Sequence, residues 1–208
     1  RAENRLMSVL SDLGTSAAAL EKLRLFQSLV EKWNPRINLV AKSTLPDLWS
    51  RHIEDSAFLC LHAPEARLWA DFGAGGGFPG LVVATILQDR GAGTRVALVE
   101  SDLRKATFLR EAARQMDLPV EVHSERVEAL PPLMADIVSA RALATLDTLC
   151  VLAHRHLAPG GTCLFPKGER FAEEVEAARR LWLFDLEAPE NPGHKGSALL
   201  VLRNLHRV

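Results

Sequence analysis

A glycine-rich segment at residues 71–80 carries the clearest chemical signal in the chain. It reads Asp-Phe-Gly-Ala-Gly-Gly-Gly-Phe-Pro-Gly and stands between an apolar, strand-like run and a helix-like run. The glycines therefore form a turn that leads into a helix N-terminus. At such a turn a ligand can contact bare backbone, and the first N–H groups of the helix can bind it. The segment predicts a ligand site at the end of a strand.

Asp71, two residues before the first glycine, indicates which ligand this turn accepts. A dinucleotide would bring a pyrophosphate, which a nearby carboxylate repels. S-adenosylmethionine would bring an ammonium and a sulfonium group, which a carboxylate attracts. The pattern of Asp71 followed by Gly73, Gly75 and Gly77 therefore favours S-adenosylmethionine as the cofactor.

Two other interpretations of the segment stay open. Gly75, Gly77 and Gly80 also match the dinucleotide fingerprint G-x-G-x-x-G, with Glu100 twenty residues later, which would indicate an NAD-dependent oxidoreductase. The other interpretation is a turn that binds no ligand. Five glycines within eight residues oppose it, because they cost conformational entropy unless the backbone must approach another group.

Polar residues follow further strand-like runs, where a parallel sheet places its ligands. Glu100 can accept hydrogen bonds from ribose hydroxyls, or cap the next helix. Val127 and Glu128 can offer a backbone N–H to an adenine, or form an ordinary helical turn. Arg141 can hold the methionine carboxylate or an RNA phosphate, or lie on the surface. Lys167 can contact a phosphate or be solvated.

Alternating strand-like and helix-like runs predict the fold that positions these residues. Helical periodicity covers residues 16–33, and a second helical stretch follows Pro46. From residue 67 onward the alternation implies β-α-β units and a mostly parallel sheet. The expected strands are 67–72, 95–99, 119–123, 135–139 and 161–165, with helices at 80–89, 102–116, 145–157 and 169–180. Two apolar runs, 181–186 and 198–202, are expected to pair as antiparallel strands.

We therefore expect an α/β fold with the Rossmann-like sheet of class I methyltransferases and an antiparallel C-terminal strand. The predicted organisation is one domain, 1–208, with a helical N-terminal extension, 1–66, and an α/β core, 67–208. A length of 208 residues with 48% apolar and 25% charged residues suits such a domain.

Composition also limits the class of protein. The net charge of −1 argues against a strongly electrostatic nucleic-acid binder but leaves room for local basic patches. No apolar run approaches the length of a membrane span and no signal peptide is visible, so we expect a cytoplasmic monomer that binds no membrane. The seven histidines and three cysteines lack ligand spacing, so we expect neither a metal site nor a disulfide.

A set of motifs spread over residues 20–202 resembles a known family. The motifs are Trp33-Asn34, Asn38-Leu39, Arg51-His52-Ile53-Glu54-Asp55-Ser56, Gly77-Phe78-Pro79-Gly80, Val99-Glu100-Ser101, Lys105 with Phe108-Leu109, Ser139-Ala140-Arg141-Ala142 and Lys167-Gly168. Their combination is similar to the glucose-inhibited division protein B family (GidB/RsmG), which consists of bacterial guanine-N7 methyltransferases acting on small-subunit ribosomal RNA.

The resemblance implies methyl transfer from S-adenosylmethionine to N7 of a specific guanine in 16S ribosomal RNA, with S-adenosylhomocysteine as the product and no metal. It implies cofactor contacts at Gly73, Phe78, Val127, Glu128 and Arg141. The implied partner is small-subunit ribosomal RNA or its ribonucleoprotein particle.

Guanine N7 already carries a lone pair, so this reaction needs no general base and depends on positioning. Asp55 is the candidate catalytic residue, because a carboxylate would stabilise the cationic product ring. Arg51 and His52 are expected to grip phosphate or base edges from the same helical face. The alternative for this cluster is a helix-capping salt-bridge network.

Scattered basic residues are expected to form an RNA-binding face; they are Arg36, Lys42, Arg51, Lys167, Arg170 and Lys195. Two further functional hypotheses stay open beside the oxidoreductase. One is a ribosome-assembly factor that binds S-adenosylmethionine without catalysis. The other is a methyltransferase with a small-molecule substrate.

Overall fold

Helices precede the sheet in the part of the chain that the computed structural model describes, residues 9–208. Residues 1–8 of the predicted extension lie outside the described residues. Helix α1 spans Ala17–Ile37, and the Ser16 hydroxyl caps it by accepting a hydrogen bond from the backbone N–H of Ala19. Its buried face includes Leu23 and Phe26, as the helical periodicity predicted.

The second predicted helical stretch consists of three segments. A 3-10 helix spans Lys42–Asp47, a π-helical turn spans Trp49–Glu54, and helix α2 spans Asp55–His62. Helical structure follows Pro46 as expected, but it begins earlier, because Pro46 lies inside the 3-10 helix. A π-helical turn often marks a functional site, and this one carries part of the predicted Arg-His-x-x-Asp cluster.

Strands and helices alternate from residue 68 to the end of the sheet. In chain order they are β1 (Leu68–Phe72), α3 (Gly80–Asp89), β2 (Arg95–Val99), α4 (Leu103–Gln115), β3 (Val120–His123), a 3-10 turn (Val127–Ala129), β4 (Ala135–Ala140), α5 (Leu146–His156), β5 (Leu157–Lys167), α6 (Phe171–Ala178), β6 (Trp182–Glu187) and β7 (Ala198–Arg207).

The seven strands form one sheet in the order β3-β2-β1-β4-β5-β7-β6. Strands β1 to β5 pair in parallel, whereas β7 is antiparallel to both of its neighbours. The predicted mostly parallel sheet with an antiparallel C-terminal strand is confirmed. Strand order reverses between β1 and β4, so the crevice at their carboxyl ends is where this topology places a ligand.

Helices cover both faces of the sheet, because the strand side chains alternate between two apolar cores. Trp69, Leu98 and Ile137 belong to the core formed with α1, α2, α3 and α4. Val99 and Val138 belong to the core on the opposite face, formed with α5 and α6. Burial on both faces accounts for the nearly continuous apolar runs of these strands.

Strand β5 begins earlier than predicted. Helix α5 ends at His156, and β5 starts at Leu157 and continues through Pro159 and Gly160, which the sequence marks as a turn. Gly160 has φ +76°, and the register with β4 shifts in this region. The glycine therefore allows an irregularity within the strand rather than ending it.

Helix α1 packs directly on the glycine-rich segment. The ring centroids of Phe26 and Phe78 lie 4.8 Å apart. Within residues 9–208, no helix combines the length and apolar character needed to cross a membrane. The division into an extension, 1–66, and a core, 67–208, stays a prediction.

Candidate functional site

Asp71 lies at the end of β1 and is fully buried. Its Oδ1 accepts a hydrogen bond from the Ser139 hydroxyl (2.7 Å), and its Oδ2 accepts one from the Gly80 N–H (3.0 Å). The Trp69 indole N–H donates to the same Ser139 oxygen (2.8 Å). The carboxylate thus joins β1, β4 and the N-terminus of α3, where negative charge is favourable. Burial raises the pKa of Asp71 to about 7.

A cleft of about 540 Å³, here called the glycine cleft, lies at the carboxyl ends of β1 to β4. This volume is within the range of about 300–1,000 Å³ that small-molecule sites occupy. Seven of the predicted cofactor residues line it: Gly73, Gly75, Phe78, Glu100, Val127, Glu128 and Arg141. Their contacts with a cofactor stay predictions, but their convergence on one cleft shows that a single ligand could touch them all.

Asp71 and Gly77 do not line the glycine cleft, so their contacts with a cofactor stay predictions that this geometry does not favour. Asp71 is fully buried, and each of its oxygens accepts one hydrogen bond from the protein. A Cβ atom at Gly77 would lie 2.7 Å from Leu81 Cδ1 and 2.9 Å from Phe26 Cζ, and Gly77 has φ +90°. Gly77 therefore allows α1 and α3 to pack closely on the turn.

Glu100 is held rigidly at the edge of the glycine cleft. Its Oε2 accepts a hydrogen bond from the Gly75 N–H and its Oε1 accepts one from the Asp102 N–H, each at 2.8 Å. Each carboxylate oxygen has a second lone pair, and Glu100 lines the cleft. The geometry suits the two hydroxyls of a ribose, so the residues fit the nucleoside half of the predicted cofactor.

A second cleft of about 570 Å³, here called the histidine cleft, adjoins the glycine cleft. The two share the loop that follows β4, Arg141–Ala144. Ala142 in this loop has φ +52°, a conformation that is uncommon for a residue with a side chain. The predicted residues Arg51, His52, Asp55 and Lys167 all line the histidine cleft. The structure thus brings the predicted substrate residues beside the predicted cofactor residues.

Arg141, His52 and Phe78 stand together where the two clefts meet. The Arg141 guanidinium lies 2.8 Å from Nδ1 of His52 and 5.4 Å from the centroid of the Phe78 ring. The rings of His52 and Phe78 are 5.1 Å apart. Nε2 of His52 lies 2.8 Å from the Thr44 hydroxyl, a partner that sequence reasoning missed.

His52 is neutral in this environment. Burial, together with the nearby positive charge of Arg141, lowers the pKa of His52 to about 3. Both ring nitrogens already have partners in Arg141 and Thr44. The contact of His52 with a phosphate or a base edge stays a prediction, which a neutral ring with both nitrogens engaged does not favour.

Asp55 faces the histidine cleft and pairs with a residue that the sequence did not single out. Its Oδ2 lies 3.0 Å from Nε2 of His194, in the connection between β6 and β7. Burial raises the pKa of Asp55, while His194 and the Asn191 side chain favour its charged form. No local spacing could have revealed this pair, because the fold alone joins α2 to the β6–β7 connection.

Lys167 is occupied by protein groups. Its ammonium group donates to Oε2 of Glu174 (2.7 Å) and to the backbone carbonyl of Ala144 (2.8 Å). Its side chain is 10% exposed. Two of its three N–H donors thus bind protein groups, so Lys167 fixes the end of the loop between the two clefts, and its phosphate contact stays a prediction. Among the described residues no cluster of His, Cys, Asp or Glu could hold a metal ion.

Comparisons with known proteins agree with this arrangement. The family model GidB, described as rRNA small subunit methyltransferase G, matches residues 19–198. A protein from Cereibacter sphaeroides named Ribosomal RNA small subunit methyltransferase G is 48% identical over 202 residues, which cover 97% of this chain and 98% of the relative. A protein of the same name from Ruegeria pomeroyi is 47% identical and covers 94% of this chain and 96% of the relative.

Solved structures share the fold at low identity. A SAM-dependent methyltransferase from Aquifex aeolicus superposes with a TM-score of 0.60 at 12% identity, covering 76% of this chain and 93% of that one. TYW2 from M. jannaschii, solved in complex with AdoMet, has a TM-score of 0.56 at 16% identity and covers 76% of each chain. These two similarities concern the fold alone.

Proposed function

The chain belongs to the GidB family, rRNA small subunit methyltransferase G, and we propose that it transfers a methyl group from S-adenosylmethionine to N7 of a specific guanine in 16S ribosomal RNA. The observation that carries this proposal is the adjacency of the glycine cleft and the histidine cleft across Arg141. Methyl transfer needs a donor and an acceptor in line and in contact, and two clefts that share a wall can provide that arrangement.

We propose that the glycine cleft holds S-adenosylmethionine, which supplies an electrophilic methyl group when bound. Glu100 would accept hydrogen bonds from the ribose, the backbone at Val127 and Glu128 would contact the adenine, and Gly73 and Phe78 would border the methionine part. Arg141 would hold the methionine carboxylate. Because the chain belongs to a methyltransferase family, the hypothesis of an NAD-dependent oxidoreductase is not retained.

The histidine cleft would receive the guanine. The N7 lone pair needs no general base, so the neutral state of His52 is no obstacle to the reaction. Asp55 would stabilise the positive charge that appears on the methylated ring, because a carboxylate in a partly buried site acts at reduced dielectric. Arg51, exposed at the mouth of the cleft, would contact a phosphate of the RNA.

A duplex base cannot present N7 within a cleft of this kind, so we propose that the guanine is unpaired or flipped out of its stack. The partner would be small-subunit RNA or its ribonucleoprotein particle, met by a monomer in the bacterial cytoplasm. The helical extension, 1–66, and the core, 67–208, would act as one domain.

Transfer of a labelled methyl group tests the proposal. The chain would be incubated with labelled S-adenosylmethionine and undermethylated small-subunit RNA, free or as particles, and the label would be mapped by N7-specific cleavage. We expect label at one guanine of small-subunit RNA and none in large-subunit RNA. Binding of the donor without transfer would support an assembly factor, and transfer only to small molecules would contradict the RNA substrate.

A further inference from the structure

We propose that His52 is a positioning residue for Arg141, whose guanidinium it holds at the wall shared by the two clefts. The inference rests on the proposed function, because it assigns a role in binding the methyl donor. It replaces the direct substrate contact that the sequence predicted for His52 with an indirect one.

Three hydrogen bonds fix the orientation of the His52 ring. The Thr44 hydroxyl donates to the carbonyl of Ala41 (2.7 Å), so the Thr44 oxygen must accept from the Nε2–H of His52 (2.8 Å). Nδ1 of His52 then carries a lone pair and no proton. Arg141 is always a donor, and one of its N–H groups points to that lone pair (2.8 Å). In this series of hydrogen bonds each group donates to the next, from Arg141 through His52 and Thr44 to the carbonyl of Ala41.

This series of hydrogen bonds uses one N–H donor of Arg141 and leaves its other guanidinium donors for ligands. Among residues 9–208, no carboxylate forms an ion pair with Arg141, and the Nδ1 of His52 is the side-chain acceptor that fixes its direction. The face of Phe78 supports the guanidinium at 5.4 Å. A guanidinium has five N–H donors, so the remaining ones can serve an anionic group at the boundary of the clefts.

Position-specific variants separate this role from a structural one. His52→Asn keeps an acceptor near the position of Nδ1 but loses the contact with Thr44. His52→Gln keeps a polar group near Nε2 but loses the acceptor for Arg141, and His52→Phe keeps only the ring against Phe78. A hydrogen bond to a charged group contributes roughly a tenfold factor or more. We therefore expect His52→Gln and His52→Phe to raise the Kd for S-adenosylhomocysteine about tenfold, and His52→Asn to raise it less than about threefold.

A double-mutant cycle with Arg141→Met provides the readout that a structural role would not give. If His52 acts through Arg141, His52→Gln costs little further affinity once Arg141 is replaced, so the two effects are strongly non-additive. Equal losses for His52→Asn and His52→Gln, or additive losses in the double variant, would overturn the proposal.

Nitrogen-15 NMR of the ligand-free protein tests the contact without any assumption about activity. We expect His52 to remain neutral between pH 5 and pH 8, protonated at Nε2 and bare at Nδ1. A proton on Nδ1 in that range would overturn the proposal even if the chain methylates RNA. The protein could also show the expected tautomer and the expected non-additivity of the His52 and Arg141 substitutions, yet transfer no methyl group. That result would support the positioning role of His52 and refute the proposed function.

Discussion

We propose that Asp71 acts on a ligand in the glycine cleft by its charge and not by contact. Its carboxylate is fully buried and bonded to Ser139 and Gly80. A charge in such a site is poorly screened by solvent, so it can still favour a cation bound several ångströms away. Because burial raises its pKa to about 7, the strength of this effect must depend on pH near neutrality.

Replacing Asp71 by asparagine should remove the charge and keep the fold. An asparagine amide can accept the hydrogen bond from the Gly80 N–H and donate to the oxygen of Ser139. We expect Asp71→Asn to weaken the binding of S-adenosylmethionine roughly threefold to tenfold more than the binding of S-adenosylhomocysteine, which lacks the sulfonium charge. Calorimetric titration with both ligands measures this ratio.

The pH dependence of the same ratio is a second consequence of Asp71. Asp71 loses its proton as the pH rises through about 7, so the preference for the cationic ligand should increase from pH 6 to pH 8 in the wild type. In Asp71→Asn the preference should stay flat. A wild-type preference that falls with pH, or an identical profile in the variant, would show that Asp71 plays no electrostatic part.

Substitution of Asp55 tests whether its carboxylate is catalytic or purely structural. If it stabilises the methylated guanine, Asp55→Ala should lower kcat about tenfold or more while S-adenosylhomocysteine binds as before. His194→Ala is the matched control, because it removes the partner of Asp55 at 3.0 Å and leaves the carboxylate in place. Unchanged turnover in Asp55→Ala would remove Asp55 from the reaction and leave the capping network as its role.

Individual site residues were predictable to different degrees. Glu100 and Arg141 follow strands, and parallel topology brings strand ends together, so the sequence could place both at one edge. His194 and Thr44 carry no such signal, because each meets its partner through packing between distant segments. The full burial of Asp71 could not be predicted, because sequence gives the position of a carboxylate along a strand but not its depth.

At the scale of elements, the turn between β1 and α3 depends on a glycine, Gly77, that packs against both α1 and α3. Gly77→Ala would place a Cβ atom 2.7 Å from Leu81 and 2.9 Å from Phe26 at a positive φ. We expect a loss of unfolding free energy on the order of 2–4 kcal/mol, measured by denaturant titration. Gly160→Ala, also at positive φ but with nothing within 4 Å, should cost only about 1 kcal/mol. Equal losses would mean that the contact with α1 is unimportant.

Regular elements were the most predictable part of the fold. The bounds of β2 and α3 coincide with the predicted ranges 95–99 and 80–89, because strong apolar patterns end at clear turn signals. The segment 42–62 was not resolved into its three parts, since 3-10, α and π turns differ by hydrogen-bond partner and share similar side-chain spacing. The early start of β5 was not predicted, because glycine occurs both in turns and at strand irregularities such as the one at Gly160.

At the scale of the whole molecule, RNA binding must come from a local patch, since the net charge is −1. Of the predicted RNA-face residues, Lys167 pairs with Glu174 and Arg170 pairs with Glu173. The remaining exposed cations are Arg36, Lys42, Arg51 and Lys195. These four are the candidates for phosphate contacts, and the number of such contacts can be measured from the salt dependence of RNA binding.

Removing two of these cations should lower the salt dependence of RNA binding. Each phosphate contact contributes a slope of about 0.7 to 0.9 in log affinity against log salt. We expect Lys42→Gln with Arg51→Gln to reduce the slope by about 1 to 2. Arg95→Gln, at the opposite end of β2 and paired with Glu121, is the control that should leave the slope unchanged. Binding without any salt dependence would exclude a phosphate-contacting face.

Nucleoside mass spectrometry of the modified RNA tests the central claim most directly. Undermethylated small-subunit RNA or particles would be incubated with the chain and S-adenosylmethionine, digested to nucleosides and analysed for every methylated base. The proposed function predicts 7-methylguanosine as the product, at about one per RNA molecule, with S-adenosylhomocysteine formed in equal amount. The absence of 7-methylguanosine, or methylation of another base or atom, would contradict the account.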